Sequence, residues 1–137
     1  MTTGPKAPYF ADVAEGPAGA TALWLRAGDG VRLRMGHWPA GRHDAAPEEP
    51  AGPAEEARAR GTILMFPGRT EYLEKYGPTA AEFTRRGYAF AAIDWRGQGL
   101  SDRLHADRRL GHVGRFTDYQ LDCAAFLTAW ALCGAGG

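Results

Sequence analysis

The stretch from residue 87 to residue 102 reads GYAFAAIDWRGQGLSD and joins an apolar run to a polar loop. The run YAFAAID has the continuous apolar character of a strand buried on both faces, which is typical of a parallel sheet. The loop DWRGQGLSD holds an arginine, a serine, two glycines and an acid at each end. Because loops after parallel strands carry the functional groups of open α/β sheets, this stretch predicts a core strand that leads into a site.

A second apolar run, TILMF at residues 62–66, comes earlier in the chain and predicts a partner strand, also buried on both faces. Between the two runs, Tyr76, Ala80 and Phe83 recur at i, i+4 and i+7, which is the spacing of a helix face. Gly87 suits a left-handed cap at the end of this helix. Strand, helix and strand together predict a βαβ unit with a right-handed crossover.

Residues 20–38 predict a β-hairpin ahead of this unit. Apolar residues alternate with others on both sides of the Gly28-Asp29-Gly30 turn, which is the period of two expected for paired strands. With the helix described below, the coarse order is β-β-β-α-β-α. That order predicts an α/β fold in which an antiparallel hairpin is followed by a parallel βαβ unit.

A final amphipathic helix is expected over residues 117–132. Thr117 and Gln120 have the spacing of a capping box, which predicts where the helix begins. The apolar stripe that follows is wide and recurs at helical spacing: Tyr119, Cys123, Phe126, Leu127 and Trp130.

Composition along the chain suggests a short arm and one domain. Residues 1–20 are rich in glycine, proline and alanine and are expected to form an irregular N-terminal arm. Residues 21–137 are expected to form one domain with an insertion at residues 39–61. That insertion contains four prolines and no large apolar residue, so it cannot offset the entropy of ordering and should be a mobile surface loop.

The composition also narrows the expected partners and ligands. Sixteen basic residues balance sixteen acidic residues, so neither nucleic acid nor an anionic membrane is an expected partner. Dispersed histidines, and cysteines without CxxC spacing, give no reason to expect a metal site or a disulfide framework. No nucleotide cofactor is expected, because the chain has no glycine-rich phosphate loop. The absence of a recognisable leader or bilayer-length apolar run favours a cytoplasmic protein without a transmembrane segment.

Three segments together resemble the α/β-hydrolase superfamily, in particular its lysophospholipase and monoacylglycerol-lipase-like branch, also called serine aminopeptidase S33 or Hydrolase_4. They read ILMFPGRTEYLEKYG, GYAFAAIDWRGQGLSDR and GHVGRFTDYQLD. The resemblance runs from about residue 21 to residue 130, with residues 39–61 as an insertion-like gap. It implies the amino-terminal portion of an α/β-hydrolase sheet, and an ester hydrolase that forms an acyl-enzyme on serine without a cofactor. A small ester or a lysophospholipid is the implied substrate.

In that family, the loop after the third strand supplies a backbone N–H to the oxyanion hole. By position, Arg69 is the candidate donor and Gly68 shapes the loop, while Pro67 stands where histidine is commoner. Glu71 and Tyr72 are candidates for the substrate side or the scaffold. The alternative is that Arg69 and Glu71 are merely solvated loop charges.

The DWRGQGLSD loop is scaffolding in the family that it resembles. Asp94 and Arg96 are expected to pair, or to bond the loop backbone. Gly97 and Gly99 are expected to permit turns that a β-carbon would oppose. His112 is expected to order a loop or to face the substrate; a partly exposed structural histidine is the alternative.

The serine of this loop does not fit a nucleophile. The nucleophile motif of the fold is G-x-S-x-G on a sharp strand-to-helix turn, whereas Ser101 lies in Gly-Leu-Ser-Asp-Arg and no apolar strand runs directly into it. We expect Ser101 to bond its own loop instead. No G-x-S-x-G occurs among the 137 residues, so the resemblance implies that the chain ends before the nucleophile strand and is inactive alone.

Two further possibilities stay open from the residues. Dehalogenases and epoxide hydrolases of the superfamily use a carboxylate nucleophile, and that position is equally missing here. Alternatively, the chain is a non-catalytic, truncated or degenerate fragment of marginal stability. Without a fifth strand, residues 62–66 would form an exposed apolar edge, which favours self-association by strand pairing.

Overall fold

The computed structural model describes residues 4–41 and 59–134. Four strands form one mixed sheet in the order β1-β2-β4-β3, in which β1, β2 and β4 pair antiparallel and β3 pairs parallel with β4. The strands are β1 (Thr21–Arg26), β2 (Arg32–Trp38), β3 (Gly61–Met65) and β4 (Tyr88–Asp94). The helices are α1 (Ala11–Ala14), α2 (Gly77–Arg85) and α3 (Tyr119–Gly134). The predicted α/β class, with a hairpin ahead of a βαβ unit, is confirmed.

The two parallel strands have different environments. All residues of β4 from Ala89 to Asp94 are buried, because β4 has a strand on each side and helices over both faces. By contrast, every residue of β3 is only half-buried. The side chains of β3 still pack on both faces, because Leu64 lies against one core cluster and Ile63 and Met65 lie against the other. The predicted packing on both faces is therefore present, but full burial is not. The reason is that β3 is the last strand of the sheet, with β4 on one side only.

The core lies in two layers on opposite faces of the sheet. On one face, Phe126 and Ala129 of α3 pack against Leu33, Met35 and Ile93 of the strands. On the other face, apolar residues of α2 and of the preceding turn cover the strands, and the buried members of that cluster are Ala22, Trp38, Leu73, Ala80, Phe90 and Ala92. This burial is the main favourable contribution to folding.

Helix α2 begins and ends near the predicted positions. A 3-10 turn at Leu73–Tyr76 leads into it, and Pro78 lies in its first turn, where its missing N–H costs nothing. Gly87 follows the helix with φ of 88°, in the left-handed conformation predicted for a cap.

Helix α3 begins differently from the prediction. A 3-10 turn at Phe116–Asp118 precedes it, and the backbone N–H of Arg115 donates to the Asp118 carboxylate over 3.0 Å. The turn is therefore closed by Asp118 and not by Thr117 and Gln120. The buried stripe also differs, because Asp122, Phe126 and Ala129 face the sheet, whereas Leu127 is 47% exposed.

The N-terminal arm is more ordered than the composition predicts. The N–H of Ala7 donates to Ala22 O over 2.9 Å, and the N–H of Trp24 donates to Pro5 O over 2.8 Å. These bonds extend the sheet past β1, so the arm covers that edge. Pairing of this kind depends on backbone groups, which composition does not reveal. Of the predicted insertion, residues 42–58 lie outside the described residues. None of the helices described is long and apolar enough to span a bilayer.

Truncating Phe126 tests the packing of α3. Phe126 is fully buried, so Phe126→Ala should lower the free energy of unfolding by about 3–4 kcal/mol, as expected for a core cavity. The matched control is the neighbouring Leu127→Ala, which should cost less than about 1 kcal/mol because Leu127 is half-exposed. Urea denaturation of both variants measures the difference, and equal losses would show that α3 packs through another face.

Candidate functional site

Two loops meet at the carboxyl ends of the parallel strands. We call residues 66–72 the β3 loop and residues 95–103 the β4 loop. The indole N–H of Trp95 donates to Pro67 O over 2.7 Å, which joins the loops at their base. The side-chain oxygen of Gln98 accepts the backbone N–H groups of Thr70 and, over 3.4 Å, of Glu71. The β4 loop therefore holds the β3 loop through its backbone.

Near the centre of the β3 loop, the N–H groups of Gly68 and Arg69 have no partner within the described parts of the chain. Thr70 and Glu71 donate to Gln98, but the N–H of Arg69 makes no hydrogen bond within the described parts of the chain. The Arg69 side chain is fixed, since its guanidinium donates to Gly111 O over 2.7 Å. Thr70 has φ of 64°, a conformation that non-glycine residues rarely adopt, and the loop turns sharply there. An exposed N–H on a fixed turn can bind an anionic oxygen.

The remaining candidates of the β3 loop lie close to it but play different parts. Glu71 accepts the Lys75 ammonium over 2.8 Å and the Tyr76 hydroxyl over 2.9 Å. Burial and the Glu71 carboxylate raise the pKa of Tyr76 to about 12, so this hydroxyl stays a donor. Gly68 and Tyr72 are exposed. Glu71 thus braces the loop, and Tyr72 is free to contact a ligand.

Asp94 ends β4 and is the central acceptor of the site. Its carboxylate is 1% exposed. One oxygen accepts the N–H of Leu73 over 2.9 Å, and the other accepts the N–H of Leu100 over 3.0 Å and the Arg34 Nε–H over 2.7 Å. These three donors come from the turn before α2, from the β4 loop and from β2. One carboxylate therefore fixes three segments.

Arg34 lies between two carboxylates. Besides Asp94, its guanidinium donates to both oxygens of Glu74 over 2.7 and 2.8 Å, and to Pro8 O over 2.9 Å. Burial raises the pKa of the Glu74 carboxyl, but the bidentate bonds from Arg34 outweigh burial and the pKa lies below its usual value. Burial is stronger at Asp94, and its pKa lies above the usual value although Arg34 opposes this. The Arg34 cation therefore favours the charged form of both carboxylates.

Arg96 does not bond Asp94 and forms a second buried network. Its Nε–H donates to Asp122 of α3 over 2.8 Å, and its Nη1 donates to Asp29 of the hairpin turn over 2.8 Å. Burial lowers the pKa of Arg96, but the bonds to both carboxylates outweigh it and raise the pKa above its usual value. Arg96 therefore ties α3 and the hairpin to the β4 loop.

Ser101 is part of this scaffold. Its hydroxyl donates to Asp94 O over 2.6 Å and accepts the Arg34 N–H over 2.9 Å, and the residue is 1% exposed. A serine held in this way cannot attack a bound substrate. These bonds are those of a scaffold residue, which is the role that the sequence pattern predicts for Ser101.

The two loop glycines adopt conformations that favour glycine. Gly97 has φ of 78° and Gly99 has φ of 52°. A β-carbon on Gly99 would collide with the Asp94 carboxylate, and one on Gly97 would come within 2.8 Å of His112 O. The His112 ring is exposed and lies 5.9 Å from that of His105. His112 thus meets the β4 loop through its backbone.

Sequence reasoning missed Arg34, Glu74 and Gln98 as site residues. Arg34 occupies a polar position in the alternation of β2, where a solvent-facing side chain is expected. Glu74 comes two residues after PGRTEY, a motif that mainly predicts a backbone N–H donor. Gln98 lies inside the DWRGQGLSD stretch, so its location in a site loop could be predicted. Its bonds to Thr70 and Glu71 could not.

Removing the charge of Asp94 tests the central acceptor. Asp94→Asn leaves Arg34 short of one buried partner and should lower the free energy of unfolding by about 3 kcal/mol. Asp107→Asn is the matched control, because the only ion-pair partner of Asp107 among the described residues is the exposed Arg109, and the change should affect stability little. Chemical denaturation at pH 7 compares the two. A loss no greater for Asp94→Asn than for the control would contradict this account.

Known proteins are similar to this chain over part of its length. The family model of serine aminopeptidase, S33, matches residues 57–132. Lysophospholipase L2 of Escherichia coli strain K12 is 48% identical over 64 residues, which are 47% of this chain and 19% of the relative. Probable lysophospholipase L2 of Haemophilus influenzae is 32% identical over 72 residues, or 53% of this chain and 22% of the relative.

The matched segments make up about a fifth of the length of these relatives. No solved structure is significantly similar. The family match confirms the resemblance carried by the PGRTEY, DWRGQGLSD and GHVGRFTDYQ segments. Because the family model covers more than half of its residues, this chain belongs to the serine aminopeptidase S33 family of α/β hydrolases, and it resembles the lysophospholipases of that family.

Proposed function

We propose that this chain is the amino-terminal part of a lysophospholipase-like carboxylic-ester hydrolase. The observation that carries the proposal is the backbone N–H of Arg69, which has no partner among the described residues and lies on a fixed turn at the carboxyl end of a parallel strand. Similarity to relatives named lysophospholipase L2 supports the choice of substrate class. A small ester or a lysophospholipid is the substrate that we propose.

In the proposed mechanism, a serine attacks the ester carbonyl and forms an acyl-enzyme, which water then hydrolyses. Negative charge develops on the carbonyl oxygen in both steps. The Arg69 N–H would donate to that oxygen, and the β4 loop keeps the donor in place before the reaction begins. The 137 residues contain no G-x-S-x-G motif, and Ser101 is committed to internal bonds. We therefore propose that nucleophile, acid and histidine come from sequence outside these residues, and that this chain alone is inactive.

A chimeric enzyme tests the role of Arg69. Residues 61–134 of this chain would replace the corresponding segment of Escherichia coli lysophospholipase L2. We expect the chimera to hydrolyse a lysophospholipid, and Arg69→Pro to lower kcat by about 100-fold because proline removes the N–H. Release of fatty acid measures the rates, and the 137-residue chain alone should show none.

The matched control in the chimera is Arg69→Ala, which keeps the N–H and should retain activity within a few-fold. Equal activities of the proline and alanine variants would exclude Arg69 as an oxyanion donor. Hydrolysis by the 137-residue chain that disappears in Ser101→Ala would overturn the proposed absence of a nucleophile.

A second candidate function follows from the position of β3 at the sheet edge. The side chains of β3 after Gly61 are Thr, Ile, Leu and Met, with no charge or proline to oppose pairing. The opposite edge differs, because the N-terminal arm bonds β1 there. We propose as an alternative that the chain is a non-catalytic fragment that self-associates through β3.

Placing a charge on β3 tests this alternative. The wild-type chain should show concentration-dependent association in sedimentation velocity, and Thr62→Lys should shift it towards monomer because the lysine opposes strand pairing. The control is Thr21→Lys on β1, where the edge is already covered and association should persist. A wild-type chain that stays monomeric and unfolds cooperatively across the concentration range would exclude the alternative.

A further inference from the structure

A cleft of about 430 Å³ opens beside the β3 and β4 loops. Its volume is in the range that accommodates small ligands. Residues of both loops line it, together with residues of the N-terminal arm and of the segment after the β4 loop; they include Phe10, Thr70, Tyr72, Gln98, Leu100 and Arg103. Unlike the Arg69 turn, this cleft is lined by residues with buried side-chain donors that lack an acceptor among residues 4–41 and 59–134.

Gln98, which lines the cleft, carries one such donor. The residue is 4% exposed, and its Nε2 has no hydrogen-bond partner among the described residues. The orientation of the amide is determined, because the oxygen must accept the N–H groups of Thr70 and Glu71. Nε2 therefore faces the other way with both of its hydrogens unused. Buried amide donors rarely stay unpaired in proteins, so an acceptor is expected here.

Arg103 supplies the other donors. Its Nη2 donates to Gly99 O over 3.0 Å, but its Nε and Nη1 are buried without a partner among the described residues. Burial lowers the pKa of the guanidinium, and the positive charge of Arg108 lowers it further, while Asp94 only partly compensates. An anion bound beside Arg103 would stabilise the charged guanidinium and so oppose both the burial and the repulsion from Arg108. The unused Nε and Nη1 point in different directions, and each can donate one hydrogen bond to an anionic oxygen.

The carboxylates of the cleft are already occupied. Glu74 accepts from Nη1 and Nη2 of Arg34, and Glu71 accepts from the Lys75 ammonium and the Tyr76 hydroxyl. Arg103 and Arg108, in contrast, form no ion pair with a carboxylate in the described ranges. The cleft therefore has an excess of positive charge and of N–H donors over acceptors, which suits an oxygen-rich anion.

One part of the cleft wall is apolar. Phe10, Val13 and Tyr72 line it and are 50%, 61% and 44% exposed. Leu100 continues this surface into the β4 loop. A ligand that fits has an anionic, oxygen-rich end beside Arg103 and an apolar part against these side chains.

We propose that this cleft binds the phosphate group of an amphiphilic phosphate ester, with Arg103 and Gln98 as the donors. A phosphate group offers enough oxygens to accept from an unpaired N–H of Arg103 and from the Gln98 amide together. The inference rests on the proposed function only in naming a lysophospholipid as the source of the phosphate. Phosphate binding itself follows from the unpaired donors and does not require hydrolysis.

Calorimetric titration of the 137-residue chain tests the site. The probes are inorganic phosphate, hexanoyl-lysophosphatidylcholine below its micellar concentration, and octanoate, each at matched ionic strength. We expect both phosphate probes to bind, and the lysophospholipid to bind more tightly because it also covers the apolar wall. Arg103→Gln should weaken both by about tenfold or more, as expected for lost hydrogen bonds to a charged group.

The matched control is Arg86→Gln, which removes the same charge from the end of α2, outside the cleft, and should change affinity less than twofold. Gln98→Glu is a second variant, which keeps the acceptor for Thr70 but replaces the donor by a carboxylate. This variant should abolish phosphate binding, and circular dichroism should show that the fold is retained. If Arg103→Gln does not fold, Gln98→Glu tests the phosphate site in its place.

Several results would overturn the proposal. These are no binding of either phosphate probe, unchanged affinity in Gln98→Glu, or tighter binding of octanoate than of the lysophospholipid. Tighter binding of inorganic phosphate than of the lysophospholipid would keep the phosphate site but overturn the amphiphile as its ligand. The titration does not measure ester hydrolysis, so the two proposals are tested separately. An inactive chimera with phosphate binding intact would contradict only the hydrolase proposal. An active chimera without phosphate binding would contradict only the phosphate site.

Discussion

The buried bond between the Asp94 carboxylate and the Arg34 guanidinium is the constraint on which the site depends. Asp94 stands at the end of β4 and accepts donors from β2, from the turn before α2 and from the β4 loop. A buried carboxylate is costly unless its oxygens are satisfied, and here three donors satisfy them. The carboxyl end of the central strand is therefore held in one arrangement.

The rigidity of the two loops follows from this arrangement. Leu100 and Ser101 are bonded to Asp94, so the β4 loop follows one path and presents Gln98 to the β3 loop. Gln98 in turn accepts the N–H groups of Thr70 and Glu71, whereas that of Arg69 has no partner in the part of the chain that the structure describes. The role proposed for Arg69 thus depends on hydrogen bonds that Arg69 does not itself make, namely those of Asp94 to the β4 loop and of Gln98 to the β3 loop. A loop with freely moving N–H groups would have to pay reorganisation energy at each reaction step.

The same network explains why the cleft beside Arg103 has unpaired donors. Gln98 uses its oxygen for the loop, and every carboxylate of the cleft wall has its own cation or hydroxyl. Arg103 and the Gln98 amide nitrogen are left without an acceptor in the described parts of the chain. The proposed phosphate site and the proposed oxyanion donor therefore share one support, Gln98, while they present different groups to a ligand.

The sequence alone determined the hairpin, the βαβ unit and the family, because apolar periodicity and the PGRTEY and DWRGQGLSD motifs are local patterns. Only the tertiary structure decided the partners of the charged residues. Arg34 lies 60 residues from Asp94 and 40 from Glu74, and Arg96 lies 67 residues from Asp29. The alternation in β2 makes Arg34 look solvent-facing, although folding brings carboxylates from distant segments over it. Which polar residue is buried depends on the partners that distant segments supply, and local periodicity carries no information about those partners.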